Sequence, residues 1–351
     1  MHGTVRVLIV DDSAYMRVVL KDMLESDKSV HVIGSAKDGF EAIEMAESLM
    51  PEVVLLDIQM PKMDGLATLQ RLMKEAPTRV VMLSAMDKVD SQLPLKALEM
   101  GAVDFISKPS GPISIDIVHF KDEIIDIIKN VADARVEALK DSRAPLPSRK
   151  VSPIRKEAAK TQSIIAIAAS TGGPRALEVL FASLPRDLPT SFLIVQHLPE
   201  GFAESFAKRL DAANGPRVVL AENGMRVEPG VAYLAPSGKH MRVAWRGESF
   251  LVIKLETGRP VNYVMPSADV MFESAAQCVG ENVLAIVLTG MGCDGASGAQ
   301  TVKRAGGTVF AQNEQSSVAF SMPKAVISSG VADRVLPIEV IPKKIIDFLE
   351  E

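Results

Sequence analysis

The chain has 351 residues, of which 47% are hydrophobic, and a formal net charge of −5 at pH 7, so two or three domains with sizeable cores are expected. The acidic balance argues against a nucleic-acid-binding protein, and the two cysteines, Cys278 and Cys293, are too few for a disulfide framework. Because a strand is predicted where a signal peptide would lie, and no apolar run reaches the ~20 residues of a membrane span, we expect a soluble cytoplasmic protein without membrane insertion.

The first 125 residues alternate predicted strands and helices. Ser13 is a candidate cap for the first helix, because a hydroxyl at that position can accept a backbone amide hydrogen bond. Strict alternation of strands and helices is typical of a parallel, doubly wound sheet. Short apolar runs predict its strands at 4–10, 30–34, 53–56, 80–83 and 103–106.

Polar side chains follow these strands at the points where they end. They are Asp11, Asp12, Asp57, Ser84 and Lys108. Any one of them is most simply a loop or capping residue, but parallel strands bring their carboxyl ends to one edge, where ligands bind. Clustered carboxylates repel unless a cation lies among them, and such hard oxygen ligands suit Mg²⁺. A carboxylate there can attack a phosphoryl group while a lysine neutralises the developing charge.

This pattern resembles the response-regulator receiver domains over residues 1–125. The resemblance implies a flavodoxin-like fold, in which Asp57 is phosphorylated by a chemotaxis histidine kinase with Mg²⁺ held by Asp11, Asp12 and Asp57. It also implies that Ser84 and Lys108 support the phosphorylation site and that Phe105 is the aromatic switch residue. The matching motifs are Asp11-Asp12, Asp57 before Met60-Pro61-x-Met63-Asp64-Gly65, Ser84, and Lys108-Pro109.

Residues 126–161 are predicted to be an interdomain linker. Its first part, through Lys140, has a helical pattern, and the stretch from Asp141 to Pro153 is rich in proline, serine and basic residues. Such a composition is typical of an exposed, semi-extended linker. Its basic side chains are expected to be solvated, although contact with an acidic partner is an alternative.

Residues 162–351 form a second predicted α/β domain, mainly parallel. Helices are expected after Pro174, over 201–210, and from a Ser267 cap through Cys278. The runs 243–245 and 250–255 predict an antiparallel hairpin, because a short glycine-containing turn joins them. Apolar runs predict the other strands at 164–169, 192–196, 231–234, 283–288 and, as the last strand, 308–311.

Ser170 lies where a buried strand turns into a helix. The spacing of Ala168, Ser170 and Gly172 nearly matches the nucleophile elbow G-x-S-x-G, with alanine at the first position. An isolated match of this kind is better explained as a Ser-Thr cap before a glycine turn. The other strand ends of the domain therefore decide between the two interpretations.

Two further candidates, His197 and Asp294, also follow buried strands. A serine hydroxyl needs a base to take its proton, and the base needs an orienting carboxylate. Among the five histidines, His197 alone directly follows a core strand of this domain, and His240 is the second choice of base. The order Ser-His-Asp differs from the Ser-Asp-His of α/β-hydrolases, but geometry rather than order defines a triad.

The loop around Asp294 is rich in glycine. Gly290, Gly292 and Gly295 leave backbone N–H groups accessible, which suits an oxyanion hole. A phosphate-binding loop is the alternative, but the lysine and Ser/Thr of a P-loop are missing.

The second domain resembles the catalytic domain of the chemotaxis protein-glutamate methylesterases, a family that also carries a receiver. The resemblance implies Ser170 as nucleophile, His197 as base and Asp294 as the orienting carboxylate. It further implies that Thr171 and the Met291 amide hold substrate and oxyanion. The matching motifs are 169–173 (Ala-Ser-Thr-Gly-Gly), 196–199 (Gln-His-Leu-Pro), 234–236 (Leu-Ala-Pro) and 288–296 (Leu-Thr-Gly-Met-Gly-x-Asp-Gly-Ala).

The implied reaction is hydrolysis of glutamate methyl esters on methyl-accepting chemoreceptors, without a cofactor and under control of the phosphorylated receiver; some members also deamidate receptor glutamine. Cys293 is interpreted as a spacer. Two alternatives are a receiver-linked transcription regulator, whose helix-turn-helix and basic stripe are not found, and a docking module with an inactive triad. Whether the receiver inhibits sterically or recruits the enzyme stays open.

Overall fold

The computed structural model describes residues 4–84, 92–108, 115–133 and 163–350. The chain divides into two compact units, Met1–Asp141 and Ser142–Glu351. The helical pattern predicted over 134–140, the proline-rich segment after it and Pro109 lie outside the described residues. Among the helices that are described, none combines the length and the apolar character needed to cross a bilayer.

The first unit contains a five-stranded parallel sheet with the strand order β2-β1-β3-β4-β5. This order confirms the predicted flavodoxin-like, doubly wound fold. Its elements are β1 (Val5–Val10), α1 (Ala14–Glu25), β2 (Val30–Ala36), α2 (Gly39–Leu49), β3 (Val53–Asp57), α3 (Gly65–Glu75), β4 (Arg79–Ser84), α4 (Gln92–Met100), β5 (Asp104–Ser107) and α5 (Ile115–Asp133).

Capping side chains start the first three helices directly after the strand ends. The Ser13 hydroxyl accepts from the Met16 amide at 3.3 Å, as predicted, and Asp38 and Asp64 cap α2 and α3 in the same manner. Because β3 is buried along its whole length, its last residue, Asp57, is fixed at the carboxyl edge. Helix α5 continues past position 125 to Asp133.

The second unit contains a seven-stranded sheet and a separate hairpin. The sheet has the order β14-β13-β12-β6-β7-β9-β8 with every pair parallel, and β10 and β11 pair antiparallel. The predicted mainly parallel α/β fold is confirmed. Its elements are β6 (Ile164–Ala169), α6 (Gly173–Ala182), β7 (Ser191–Gln196), α7 (Ala203–Asp211), β8 (Arg217–Leu220), β9 (Val231–Leu234), β10 (His240–Arg246), β11 (Phe250–Glu256), α8 (Ala268–Val279), β12 (Val283–Val287), α9 (Ala296–Arg304), β13 (Thr308–Gln312), α10 (Ser321–Ser328), β14 (Arg334–Leu336) and α11 (Ile341–Glu350).

Two strands of this sheet are not predicted from the sequence. They are β8 and β14, so the expectation that 308–311 is the last strand is wrong. Both are short edge strands, and their residues are mostly half-buried or exposed. A run of three or four residues is too short to show a hydrophobic period, so only pairing with the neighbouring strand identifies it.

Candidate functional site

Three neighbouring strands bring the predicted catalytic residues to one edge of the second sheet. Strand β6 lies between β12 and β7, and all residues of the three strands are buried. Ser170 follows β6, His197 follows β7, and Asp294 lies in the loop from β12 to α9. Because the strands are parallel and adjacent, all three residues lie beyond their carboxyl ends.

The turn after β6 needs its glycines. Gly172 has φ of +74°, and a Cβ there would lie 2.5 Å from the Val318 side chain, so a larger residue would be both strained and overlapping. A Cβ on Gly290 would approach the Ser170 Cβ to 2.8 Å. The Ser170 side chain therefore lies against the glycine-rich loop, at a strand-turn-helix corner such as the nucleophile elbow uses.

His197 forms a direct pair with Asp294. The distance from His197 Nε2 to Asp294 Oδ2 is 3.0 Å. An ionised carboxylate only accepts hydrogen bonds, so the proton lies on Nε2 and Nδ1 is the nitrogen able to accept a proton from another group. The sequence-predicted base and orienting carboxylate are thus brought together, although they are far apart along the chain.

Asp294 is only 2% exposed and is surrounded by donors. Besides His197, the Ser267 hydroxyl donates to Oδ1 at 2.6 Å and the Ala268 amide donates to Oδ2 at 2.6 Å. Burial acts to raise the pKa of Asp294, but the hydrogen bonds from His197, Ser267 and Ala268 outweigh burial and leave the pKa below its usual value. The carboxylate is therefore ionised at neutral pH.

Ser267 has a different role from the predicted one. It occupies the N-cap position of α8, but its side chain makes no cap hydrogen bond. Its hydroxyl is committed to Asp294 instead. The capping interpretation of this side chain is wrong because a buried carboxylate accepts a stronger, charge-assisted hydrogen bond than a backbone amide offers.

A second buried carboxylate, Asp269, lies behind Asp294. Burial raises the pKa of Asp269, and the charge of Asp294 adds to the increase. The Asn262 side-chain amide donates to both carboxylates, at 2.7 Å to Asp269 Oδ2 and 3.1 Å to Asp294 Oδ1. Asn262 thus separates two like charges, and the sequence alone offered no reason to single it out.

Gln196 joins the loops that carry Ser170 and His197. Its side-chain Nε2 donates to the Ser170 carbonyl and to the His197 carbonyl, each at 2.9 Å. One buried amide therefore sets the separation of the two loops. Its position directly before His197, at a strand end, is the sequence feature that indicates such a role.

The second-choice base, His240, is held by backbone groups on both ring nitrogens. Its Nε2 lies 3.0 Å from the Arg259 carbonyl, and its Nδ1 accepts from the Ser267 amide at 3.2 Å. His240 as a whole is 6% exposed. With both nitrogens occupied, His240 is not available to take a proton from a substrate or nucleophile.

The glycine-rich loop lies beside Ser170, but one of its predicted oxyanion donors is already used. The Gly290 amide donates to the Ala319 carbonyl at 2.9 Å. The remaining candidates for oxyanion donors are the backbone amides of Gly292 and Gly295, whose φ values are +78° and +91°, and of half-buried Met291. Thr171 is buried, and its carbonyl accepts from the Thr289 hydroxyl at 2.9 Å.

The first unit brings its predicted carboxylates together. Asp11, Asp12 and Asp57 each offer an oxygen within 4.8 Å of the others. Lys108 Nζ lies 2.7 Å from Asp11 Oδ2 and 2.8 Å from Asp57 Oδ2. Burial raises the pKa of Asp57 in spite of the lysine, so the acidic cluster gains from an added cation. This donor set of hard oxygens fits Mg²⁺.

Ser84 and Phe105 lie on the neighbouring strands of this unit. Ser84 ends β4, is buried, and its carbonyl accepts from the Lys108 amide at 2.7 Å. Phe105 is buried in β5, where it pairs in register with Met82. Phe105 is thus close in sequence to Lys108, the lysine that contacts Asp57, and Ser84 is joined to Lys108 by a backbone hydrogen bond across the sheet.

Removing the Ser267 hydroxyl is expected to destabilise the second unit. At pH 7, Ser267→Ala should lower its free energy of unfolding by about 1.5–3 kcal/mol, the usual contribution of a hydrogen bond to a charged group. Because the pKa of Asp294 is lowered on folding, this contribution is complete above the ordinary pKa and is lost as pH falls below it. Denaturation at pH 7, 5 and 3, followed by fluorescence of the single tryptophan, Trp245, measures it.

Ser191→Ala is the matched control for this experiment. Ser191 is also a buried serine of the second unit, and its hydroxyl has no hydrogen-bond partner among the described residues. Its removal should therefore leave stability unchanged or slightly increased. Equal losses for the two variants at every pH would contradict the assigned role of Ser267.

Comparison with known proteins supports the description of both units of the chain. Family models described as CheB methylesterase and as response regulator receiver domain match residues 165–345 and 7–117. Proteins named protein-glutamate methylesterase/protein-glutamine glutaminase are similar over almost their whole length. The one from Pyrococcus abyssi is 45% identical, with 99% of this chain and 94% of that protein covered. The one from Thermotoga maritima is 41% identical, with 98% of each covered.

A solved structure is similar to the second unit. The crystal structure of the Thermotoga maritima CheB methylesterase catalytic domain is 40% identical and covers 53% of this chain and 98% of that chain, with a TM-score of 0.52. The similarity of sequence extends across both units, and the similarity of structure covers the unit that contains Ser170, His197 and Asp294. The chain therefore belongs to the CheB methylesterase family, with a response regulator receiver domain ahead of the methylesterase domain.

Proposed function

We propose that this chain hydrolyses methyl esters of glutamate side chains on a protein and deamidates glutamine, as the names of its relatives state for them. The observation that carries the proposal is the 3.0 Å pair of His197 and Asp294 at the sheet edge that also carries Ser170. A serine, a histidine and a buried carboxylate at such an edge are the parts of an acyl-transfer site.

In the proposed reaction, His197 Nδ1 takes the Ser170 proton while the hydroxyl oxygen attacks the γ-carbonyl carbon of the ester. Asp294 keeps the Nε2 proton in place and stabilises the imidazolium. The amide of Met291, with Thr171 beside Ser170, faces the developing oxyanion. Methanol leaves with the proton from His197, and water then hydrolyses the acyl-enzyme to free glutamate and Ser170. A glutamine follows the same route with ammonia as the leaving group.

The proposed substrates are methyl-accepting chemoreceptors, and the proposed phosphodonor is a chemotaxis histidine kinase. The receiver domain supports a kinase partner, because its carboxylate cluster and Lys108 form the site expected for phosphoryl transfer to Asp57. Release of methanol from a methylated receptor fragment, measured with the purified full-length protein, tests the function. A protein that releases none under phosphorylating conditions contradicts it.

Mg²⁺ is the ion that we propose for the receiver. Asp11, Asp12 and Asp57 would hold it, and the ion supplies positive charge for the incoming phosphoryl group. Among the chain's own groups, the Asp57 carboxylate attacks phosphorus and Lys108 balances the added charge. We infer no metal for the ester hydrolysis.

Phosphorylation of Asp57 is expected to increase methylesterase activity. A coupling of the usual size would change the rate by about 5- to 150-fold. A small-molecule phosphodonor with Mg²⁺ should therefore accelerate methanol release by the wild-type protein but not by Asp57→Asn. Chelation of Mg²⁺ should remove the acceleration and leave the basal rate.

A fragment that begins near Thr161 separates two modes of control. If the receiver inhibits sterically, the fragment should be faster than the unphosphorylated full-length protein and insensitive to the phosphodonor. If the receiver recruits the enzyme to its substrate, the fragment should be slower than the full-length protein. We expect the first result, because a tether keeps even a weak inhibitory contact populated.

A further inference from the structure

The segment from 257 to 264, which we call the rim loop, is the first part of the connection from β11 to α8, beside the candidate active site. Residues 257–263 are all exposed, yet the loop is held at defined points. The His240 ring bonds the Arg259 carbonyl through Nε2 and accepts the Ser267 amide through Nδ1. One buried imidazole thereby fixes both the loop and the start of the segment that carries Ser267.

The rim loop also contacts the carboxylate that holds His197. The Asn262 amide donates to Asp294 Oδ1 at 3.1 Å and to Asp269 Oδ2 at 2.7 Å. The next residue, Tyr263, is therefore held close to the site by a neighbour that touches Asp294. Tyr263 is thus one residue along the chain from a side chain that contacts the candidate catalytic carboxylate.

The backbone at the tip of the rim loop is unusual. Val261 and Val264 exchange backbone hydrogen bonds at 3.1 and 3.0 Å, so Asn262 and Tyr263 form a tight two-residue turn. Their φ values are +52° and +65°, as in the turns that favour asparagine followed by glycine. A tyrosine where glycine is favoured costs backbone energy that some other interaction must offset.

No contact that the described residues make explains this tyrosine. The relative exposure of Tyr263 is 101%, so the ring is fully in solvent in the second unit. An exposed aromatic ring on a backbone turn fixed by hydrogen bonds is the kind of side chain that most often dominates binding to a protein partner. Val261, which is 36% exposed, adds apolar surface in the same turn.

Two exposed basic side chains lie in or next to the rim loop. Arg259 is exposed within the loop, and Lys239 is exposed immediately before the histidine that bonds the Arg259 carbonyl. The acidic residue at the foot of the loop, Glu256, already pairs with Arg242 at 3.3 Å. The rim therefore favours an acidic ligand over a basic one.

We infer that the rim loop binds the substrate polypeptide beside its esterified glutamate. Tyr263 packs on an apolar side chain of that segment, and Arg259 and Lys239 attract free carboxylates next to the ester. The inference rests on the proposed function and deepens it, because it names an acidic polypeptide segment as the substrate class and Tyr263 as its recognition residue.

Tyr263→Gly is the most informative variant. Glycine adopts the positive φ of this position without strain, so the substitution removes the ring without disturbing the turn. It should raise KM for a methylated cytoplasmic fragment of a chemoreceptor about tenfold, as expected for an aromatic contact residue, and leave kcat within about twofold. Tyr263→Phe should keep the wild-type KM. Trp245→Ala, which removes another exposed aromatic ring of this unit, is the control and should not change KM.

A charge reversal tests the basic rim. Arg259→Glu should raise KM for the same fragment, and the difference from wild type should shrink as salt is added. Arg246→Glu changes the net charge equally, at an exposed position at the opposite end of β10 from His240, and should have no such effect. Equal effects of the two reversals would show a non-local attraction and overturn the assignment of Arg259.

A binding measurement separates this inference from the proposed function. The methylated fragment, labelled with a fluorophore, is titrated with Ser170→Ala and with Ser170→Ala/Tyr263→Gly, so that no turnover is needed. The second protein should bind about tenfold more weakly. Equal affinities overturn the role of the rim loop even if methanol is released, whereas absence of methanol release by the wild type overturns the function alone. A fall in kcat at unchanged KM for Tyr263→Gly also overturns the role of the rim loop in substrate binding.

Discussion

Ser170→Ala is expected to abolish methanol release from a methylated receptor fragment, with kcat lowered by at least about 10⁴-fold. The alanine has no oxygen to form the acyl-enzyme, and the only route left is direct attack by water at the same carbonyl. The fold should be unaffected. The Ser170 amide donates to the Thr289 carbonyl, and the Ser170 carbonyl accepts from Gln196, so the hydrogen bonds that join Ser170 to other described residues use its backbone.

Two controls accompany this measurement: one tests whether the variant is folded, and the other removes a serine hydroxyl away from the candidate site. Unfolding followed by Trp245 fluorescence should give the wild-type stability for Ser170→Ala. Ser183→Ala removes another half-buried serine, at the end of α6, whose hydroxyl donates to the Val179 carbonyl one turn earlier, and it should keep the wild-type rate. Turnover by Ser170→Ala within tenfold of the wild type would show that another group is the nucleophile.

The edge location of this serine is what the sequence predicts best. Long apolar runs that end abruptly define β6 and β7, so Ser170 and His197 could be placed at strand ends from the sequence. Asp294 is harder, since it lies several residues beyond the end of β12 in a loop. Asp294 is identified instead from the glycines around it and from the family motif that contains it, because the loop has no hydrophobic periodicity.

The surroundings of Asp294 could not be predicted, because they depend on contacts between distant segments. Local rules correctly identified Ser267 as the residue before a helix but not the direction of its hydroxyl, which the buried charge of Asp294 decides. His240 follows a Gly-Lys turn like many surface histidines, and only the folded chain places backbone groups on both of its nitrogens. Asn262 gave no local indication at all.

Backbone pairing explains the remaining differences between the predicted strands and those in the structure. The hairpin was predicted from its central residues, but β10 begins at His240 because that residue pairs in register with Glu256. The strands β8 and β14 depend on one neighbour each for their hydrogen bonds. Elements that owe their structure to a partner strand carry little pattern of their own.

His197→Gln is expected to be nearly as damaging as Ser170→Ala, with a loss of kcat of about 10⁴-fold or more. The side-chain NH2 of glutamine can still donate a hydrogen bond to the Asp294 carboxylate, but the amide cannot take a proton from Ser170 at neutral pH. The combined variant Ser170→Ala/His197→Gln should be little slower than either single variant, because a nucleophile and its base act as one unit.

Substitutions of two other histidines, His31 and His240, serve as comparisons for this prediction. His31 is exposed on β2 of the receiver, 3.6 Å from Glu25, and His31→Gln should keep the wild-type rate. His240→Gln should lose less activity than His197→Gln and should lower stability, since it removes hydrogen bonds to two backbone groups. Initial rates of methanol release and denaturation curves for the three variants measure both effects. If His240→Gln is the inactive protein and His197→Gln retains turnover, the base has been misassigned, and the Nε2 pair with Asp294 is structural.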